Sequence, residues 1–150
     1  MRIEPDQGLS GDDTALNAIK ILCRPPEGNF TQAVSSRRSQ WGNWVGETTC
    51  NGTDVLIGFS LQVERNKKND DDSTANFVKF ECAQFRSMNL PTYEIAAAPG
   101  KGTWGTWTKS EICQPDSCIC GMRTKIELPQ GNGKDDDDSA LNDAVFYCCY

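Results

Sequence analysis

The sequence of 150 residues contains no histidine, and its 15 Lys and Arg residues are outnumbered by 21 Asp and Glu residues. Without histidine, Ser-His and Cys-His nucleophile pairs, His-ligated metals and histidine proton shuttles are excluded. A net charge of -6 provides no basic surface for nucleic acid. No apolar run is long enough to cross a membrane as a helix. Paired carboxylates are therefore the main acid/base resource that remains.

No segment shows helical periodicity. Instead, one sequence motif occurs three times, at residues 12–23, 71–82 and 137–148. Each copy has a carboxylate pair, a small hydroxyl residue, an Asn and an alternating strand that ends on Cys. Self-similarity at a period of roughly 60 residues indicates a fold built from one repeated supersecondary unit. The inward face of each strand is predicted to include its Cys: Cys23, Cys82 or Cys148.

Two further segments recur around this stretch. A strand at residues 1–4 returns at 58–64 and 121–127, and in the second copy Phe59, Leu61 and Val63 alternate with polar residues. This alternation predicts a half-buried strand with its polar residues facing outward. The motif Trp-Gly-x-Trp occurs twice, each time followed by a Cys.

We predict one all-β domain, residues 1–150, with units 1–57, 58–120 and a partial unit 121–150. Met1 begins inside a strand and is interpreted as a truncation point.

The eight cysteines indicate a disulfide framework in an oxidising compartment. Zinc is disfavoured because histidine and paired CxxC motifs are absent. The N-terminus does not look like a signal peptide, yet secretion is expected. Two N-glycosylation sequons, at Asn29 and Asn51, lie in predicted loops and fit secretion.

The acidic pairs of the three copies have three possible interpretations. They could cap turns, ligate a hard cation such as Ca²⁺, or form an acid/base pair for glycosyl transfer. Turns recur in repeats more readily than active sites do, so the structural interpretation is favoured. The residues concerned are Asp12, Asp13, Asp71, Asp72, Asp137 and Asp138.

The tryptophans of the repeated motif are the best candidates for a ligand contact. An exposed indole could stack on a sugar ring, but core packing or a role at the sheet corner is the favoured interpretation. In an extended strand Trp41 and Trp44 point to opposite faces, so one could be buried and the other exposed. The candidate carbohydrate-binding residues are Trp41, Trp44, Trp104 and Trp107.

Taken together, these motifs resemble the vitelline membrane outer layer protein 1 family. The resemblance rests on residues 11–17, 18–23, 41–44, 58–64 and 140–149 and covers essentially the whole chain. It implies a type I β-prism, with three Greek-key sheets around a pseudo-threefold axis, and an extracellular protein of the egg's outer coat. The family's additional N-terminal stretch is missing here, so the third sheet is expected to be incomplete. Cys118 is extra relative to the family.

Equivalence between the units predicts how the cysteines pair. The expected disulfides are Cys23–Cys50, Cys82–Cys113 and Cys120–Cys149, with Cys118 and Cys148 left over to pair with each other. Each of the first two would close a loop of about 30 residues, worth roughly 3.5 kcal/mol.

The expected function is that of a secreted, non-enzymatic scaffold of an extracellular coat. The alternatives are a carbohydrate-active enzyme acting on chito-oligosaccharides and a prism lectin. The expected partners are egg-coat or extracellular-matrix proteins and glycans. We expect no nucleic acid, membrane insertion, cofactor or metal, and a monomer.

Overall fold

The computed structural model describes residues 1–5, 15–25, 28–29, 32–38, 40–64, 75–86, 91–126 and 141–150. Within these ranges every regular element is a β-strand, and all strand pairs are antiparallel. None of the described residues belongs to a helix that could cross a membrane. The predicted all-β class is therefore confirmed.

The strands of the described residues follow one another in chain order. They are β1 (Arg2–Ile3), β2 (Leu16–Ala18), β3 (Lys20–Cys23), β4 (Gln32–Ser35), β5 (Asn43–Trp44), β6 (Val55–Val63), β7 (Ala75–Ala83), β8 (Tyr93–Ile95), β9 (Thr106–Trp107), β10 (Glu111–Ile112), β11 (Cys118–Ile126) and β12 (Leu141–Cys149). Their Val, Ile, Phe and Thr content suits a pleated, partly buried surface.

The largest sheet consists of β6 to β10. β6 and β7 form a long pair in which Phe59 lies opposite Phe80. β8 extends the β7 side, while β9 and β10 both pair with β6. Two smaller sheets, β2–β1–β5 and β3–β4, contain the strands of the first unit, and β11 pairs with β12. Each copy of the repeated first strand (β1, β6 and β11) thus pairs with the strand that follows it (β2, β7 and β12).

The core is formed by equivalent positions of the repeated strand. β2, β7 and β12 each contact the other two. The ring of Phe146 on β12 lies 4.4 Å from that of Phe59 and 5.3 Å from that of Phe80, measured between centroids. The buried cluster consists of Leu16, Ile19, Ile21, Ala75, Val78, Leu141 and Ala144. All three copies of the stretch therefore contribute to one core.

One prediction about β6 is wrong. Its polar residues were expected to face outward, but Ser60 and Gln62 are only 1% and 5% exposed. For Gln62 the reason is that the segment before β9 lies over this side of β6, where the Gln62 amide donates to the Gly102 and Trp104 carbonyls. Both faces of β6 are therefore covered, and its polar face is where the second Trp motif docks.

The disulfides differ from the predicted set. The structure contains Cys50–Cys82, Cys113–Cys148 and Cys120–Cys149. The expected pair Cys120–Cys149 is present. However, Cys50 is joined to Cys82 rather than to Cys23, and Cys113 is joined to Cys148 rather than to Cys82. The proposed pairing of Cys118 with Cys148 is wrong for the same reason.

Strand register explains this difference. Cys50 precedes a short turn into β6, and Leu56 of β6 lies opposite Cys82 on β7. In the same way Cys113 leads into β11, where Ile119 lies opposite Cys148. The cysteine after each Trp motif is therefore brought to the strand of the following unit. These two disulfides link successive units instead of closing a loop within one unit.

Candidate functional site: the tryptophan loops

Two equivalent segments carry the four tryptophans, and we call residues 40–44 the first Trp loop and residues 102–107 the second Trp loop. Each ends in a short strand that pairs with the repeated first strand in the same register. Trp44 lies opposite Arg2, and Trp107 lies opposite Gln62. The repeat therefore places the two loops at equivalent positions of two sheets.

A glycine allows each loop to approach its strand closely. Gly42 and Gly105 have φ of +74° and +84°, a region that favours glycine. A Cβ on Gly42 would lie 2.6 Å from the Ile3 backbone, and one on Gly105 would lie 2.5 Å from the Val63 backbone. The glycine of Trp-Gly-x-Trp is thus required by both conformation and space.

Buried polar side chains hold the second Trp loop. The Gln62 Nε2 donates to the Trp104 carbonyl (2.8 Å), and the Gly102 N–H donates to Gln62 Oε1 (2.8 Å). The Trp104 N–H donates to Asn76 Oδ1 at 3.3 Å. Asn76 is 1% exposed. The backbone of the loop is consequently held by buried side chains of β6 and β7, while the Trp104 indole remains at the surface.

Arg2 holds the backbone of the first Trp loop in a corresponding way. Its Nε donates to the Gly42 carbonyl (2.8 Å) and its terminal nitrogen to the Gln40 carbonyl (2.9 Å). Arg2 and Gln62 occupy the same position of the repeated strand, one residue before Ile3 and Val63. Sequence reasoning missed both residues. Their equivalent positions in the repeat could have indicated a shared role, but a polar residue in an alternating strand is expected to face solvent.

Replacing Gln62 by Ala is expected to lower the free energy of unfolding by about 2 kcal/mol, because the Gly102 N–H and the Trp104 carbonyl, both in part-buried hydrogen bonds, would lose their partner. Urea unfolding followed by tryptophan fluorescence measures the change. The matched control is Lys125→Ala, since Lys125 holds the same repeat position on β11 but is exposed. Equal effects of the two substitutions would show that Gln62 does not hold the loop.

The four tryptophans differ in their surroundings. Trp41, Trp44 and Trp104 are 37%, 38% and 42% exposed. Trp107 is half-buried, with the edge of Phe77 at 6.4 Å between ring centroids. Trp41 and Trp44 were expected to be one buried and one exposed, but both are exposed. In the second motif, Trp104 is exposed and Trp107 is half-buried.

A lysine lies over the second tryptophan of each motif. The Lys20 Nζ is 4.2 Å from the centroid of Trp44, and the Lys79 Nζ is 4.7 Å from that of Trp107. Lys79 is also held by Glu94 at 2.6 Å. Such cation–π contacts occupy one ring face. Trp44 and Trp107 therefore each have one ring face occupied by a lysine.

The other predicted site residues have mixed outcomes. The six loop aspartates, Asp12, Asp13, Asp71, Asp72, Asp137 and Asp138, lie outside the described residues. Among the residues that are described, no group of His, Cys, Asp and Glu side chains could hold a metal ion. Asn29 and Asn51 are both exposed, although the rest of the Asn29 sequon lies outside the described residues.

A groove of about 1150 Å³ is lined by residues of several strands, including β3, β6, β7 and β11, and Cys118 is among them. Cys118 is half-buried, and burial raises the pKa of its thiol. A raised pKa lowers the thiolate fraction at any given pH, and the thiolate is the reactive form.

Alkylation of Cys118 by iodoacetamide is therefore expected to be slower in the folded protein than in denaturant near neutral pH. Its rate should still be rising above the ordinary thiol pKa of about 8.5. Mass spectrometry of the Cys118 peptide measures the rate in both states. The same rate and the same pH profile in both states would contradict the burial of this thiol.

Comparison with known proteins identifies one family. The family model described as Vitelline membrane outer layer protein I (VOMI) matches residues 1–150. The human Vitelline membrane outer layer protein 1 homolog is 38% identical over 152 residues, which cover 99% of this chain and 68% of the human protein. The mouse homolog of that name is 36% identical over 150 residues, with the same coverage of 99% and 68%. The similarity therefore extends over the whole chain.

Proposed function

Because the chain belongs to the vitelline membrane outer layer protein I family, and is thus a vitelline-membrane-type protein, we propose that it is a secreted, non-enzymatic scaffold of an extracellular coat. Its partners are coat or matrix proteins and their glycans. The observation that carries this proposal is the pair of equivalent Trp loops. A side chain of the adjacent strand, Arg2 or Gln62, donates hydrogen bonds to the backbone carbonyls of each loop, and the indoles of Trp41 and Trp104 are exposed.

The disulfides support a scaffold role and an extracellular location. Cys50–Cys82 and Cys113–Cys148 join successive units, and Cys120–Cys149 joins paired strands. Disulfides persist in oxidising compartments and restrict the unfolded chain. A chain linked in this way keeps the two Trp loops on one rigid body.

The finer architecture that fits this function is a β-prism of three Greek-key sheets with pseudo-threefold symmetry. The mutual contacts of β2, β7 and β12 support it, because equivalent strands of three sheets would meet in this way around a central axis. The repeat units 1–57, 58–120 and 121–150 then form one domain.

The alternative from another class, a carbohydrate-active enzyme, is not favoured. The family and the two mammalian relatives are named for a membrane layer and not for a reaction. A scaffold of this kind can also bind glycans as a lectin does, because Trp41 and Trp104 can stack on sugar rings without any chemical reaction.

Sedimentation with isolated vitelline membrane tests the proposal. The purified protein should be retained by the insoluble material and saturate it, and substitution of both Trp41 and Trp104 by Ala should reduce retention. In parallel, the protein is incubated with chito-oligosaccharides whose length distribution is followed by mass spectrometry. Failure to sediment at every concentration, or redistribution of the oligosaccharide lengths, would contradict a non-enzymatic scaffold.

A further inference from the structure

The turn after Cys50 carries a sequon in an exposed position. Asn51, Gly52 and Thr53 are all exposed. The turn is closed by the Asp54 N–H, which donates to the Asn51 carbonyl at 2.9 Å. Gly52 has φ of +48°, and a Cβ placed on it would meet no atom within 4 Å. Space is therefore open on the outer side of the sequon.

The contacts that hold this turn use the backbone of Asn51 and not its side-chain amide. The Asn51 N–H donates to the Tyr93 hydroxyl oxygen (2.6 Å), and that hydroxyl donates to Asp54 Oδ2 (2.9 Å). The Cys50–Cys82 disulfide fixes the residue just before it. The turn can therefore keep its conformation while the amide nitrogen of Asn51 is substituted.

The second unit has a turn at the equivalent place without a sequon, closed by the same kind of hydrogen bond, although its positive φ lies at Asp116 (+65°) and not at the residue equivalent to Gly52. After Cys113, the Ser117 N–H donates to the Gln114 carbonyl at 3.1 Å, as Asp54 does to Asn51. Here Gln114 stands in the place of Asn51, and Pro115 stands in the place of Gly52. Gln has no acceptor function for this modification, and Pro in the middle position prevents it. The fold therefore accepts Gln at this position of the turn.

We propose that Asn51 carries an N-linked oligosaccharide, attached through its side-chain amide nitrogen. The modification rests on the secretion proposed above, because Asn-x-Ser/Thr sequons are modified in the secretory pathway. The sugar chain projects from the turn that precedes β6, away from the strand pairs of the largest sheet. It makes this end of the molecule hydrophilic and bulky, and directs coat contacts to other surfaces.

The test is expression in cultured animal cells behind an added secretory leader, so that entry into the pathway does not depend on the natural one. Peptide-N-glycosidase treatment converts a glycosylated Asn to Asp, which peptide mass spectrometry locates. The variants are Asn51→Gln, which copies the residue of the sister turn, Thr53→Ala, which removes the sequon, and Thr53→Ser, which keeps it. Asn29→Gln controls for the other sequon.

The expected result is a glycosidase-sensitive gel shift that depends on Asn51. It disappears in Asn51→Gln and Thr53→Ala and persists in Thr53→Ser and Asn29→Gln. An unmodified Asn51 peptide in protein recovered from the medium, or from the microsomes if export fails, overturns the proposal. Failure of the natural gene's product to reach the medium would instead contradict secretion, so the two outcomes are distinguishable.

Discussion

Replacing Gly105 by Ala is expected to lower the free energy of unfolding by about 3 kcal/mol. The left-handed conformation costs a non-glycine residue about 1 kcal/mol, and overpacking against the Val63 backbone, 2.5 Å from the new Cβ, costs about 2 kcal/mol. For a chain of this size, that change lowers the melting temperature by roughly 9 °C. Thermal unfolding followed by circular dichroism measures it.

Two further substitutions make this prediction specific. Gly42→Ala should have nearly the same effect, because Gly42 has the same conformation and lies equally close to the Ile3 backbone. Gly46→Ala is the control, since a Cβ there would meet no atom within 4 Å. If Gly105→Ala were as stable as Gly46→Ala, the Trp loop would not dock on β6 as described.

Removing the Cys50–Cys82 disulfide by the double substitution to Ala is expected to cost about 3.7 kcal/mol on the chain-entropy model. The two residues are 32 positions apart. Both cysteines are replaced together, because a single replacement would leave a thiol able to pair elsewhere. Denaturant unfolding under non-reducing conditions measures the loss.

The matched control is Cys118→Ala, because Cys118 is outside the three disulfides. It should change stability by only about 1 kcal/mol through lost apolar contact. Non-reducing peptide mapping of the unmodified protein should recover a peptide that joins Cys50 to Cys82. Recovery of a peptide that joins Cys23 to Cys50 would contradict the pairing and with it the linkage between units.

The repeats made much of the fold predictable from the sequence. Three copies of one stretch identified the strands that form the core, and Leu16, Ala75 and Leu141 are indeed buried at equivalent positions. The same motifs identified the family. This success has a physical basis, because a repeated apolar pattern at one register must bury its face against its own copies.

What the repeats could not predict depends on contacts between units. The equivalence of Cys50 with Cys113, and of Cys82 with Cys148, was visible in the sequence, but which copy pairs with which follows from strand register. The roles of Arg2 and Gln62 were hidden for a related reason. A polar residue in an alternating strand reads as exposed unless another segment is known to cover it.

The two Trp loops give the scaffold proposal its functional content. Because equivalent contacts hold both loops on one disulfide-linked chain, each molecule would offer two similar contact points to a coat. Two linked weak contacts bind a multivalent surface much more tightly than either alone. A coat protein could in this way bridge glycan chains without a single high-affinity site.

Glycan-array binding, followed by titration with the best glycan, tests the central claim most directly. The protein should bind, and Trp41→Ala combined with Trp104→Ala should weaken binding at least about tenfold, equivalent to about 1.4 kcal/mol. Ile112→Ala, at an apolar residue 53% exposed outside the Trp loops, should leave affinity unchanged. Equal affinities of the double variant and the Ile112 control would contradict the Trp loops as the binding site, and absence of binding to every glycan would contradict a glycan-contacting scaffold.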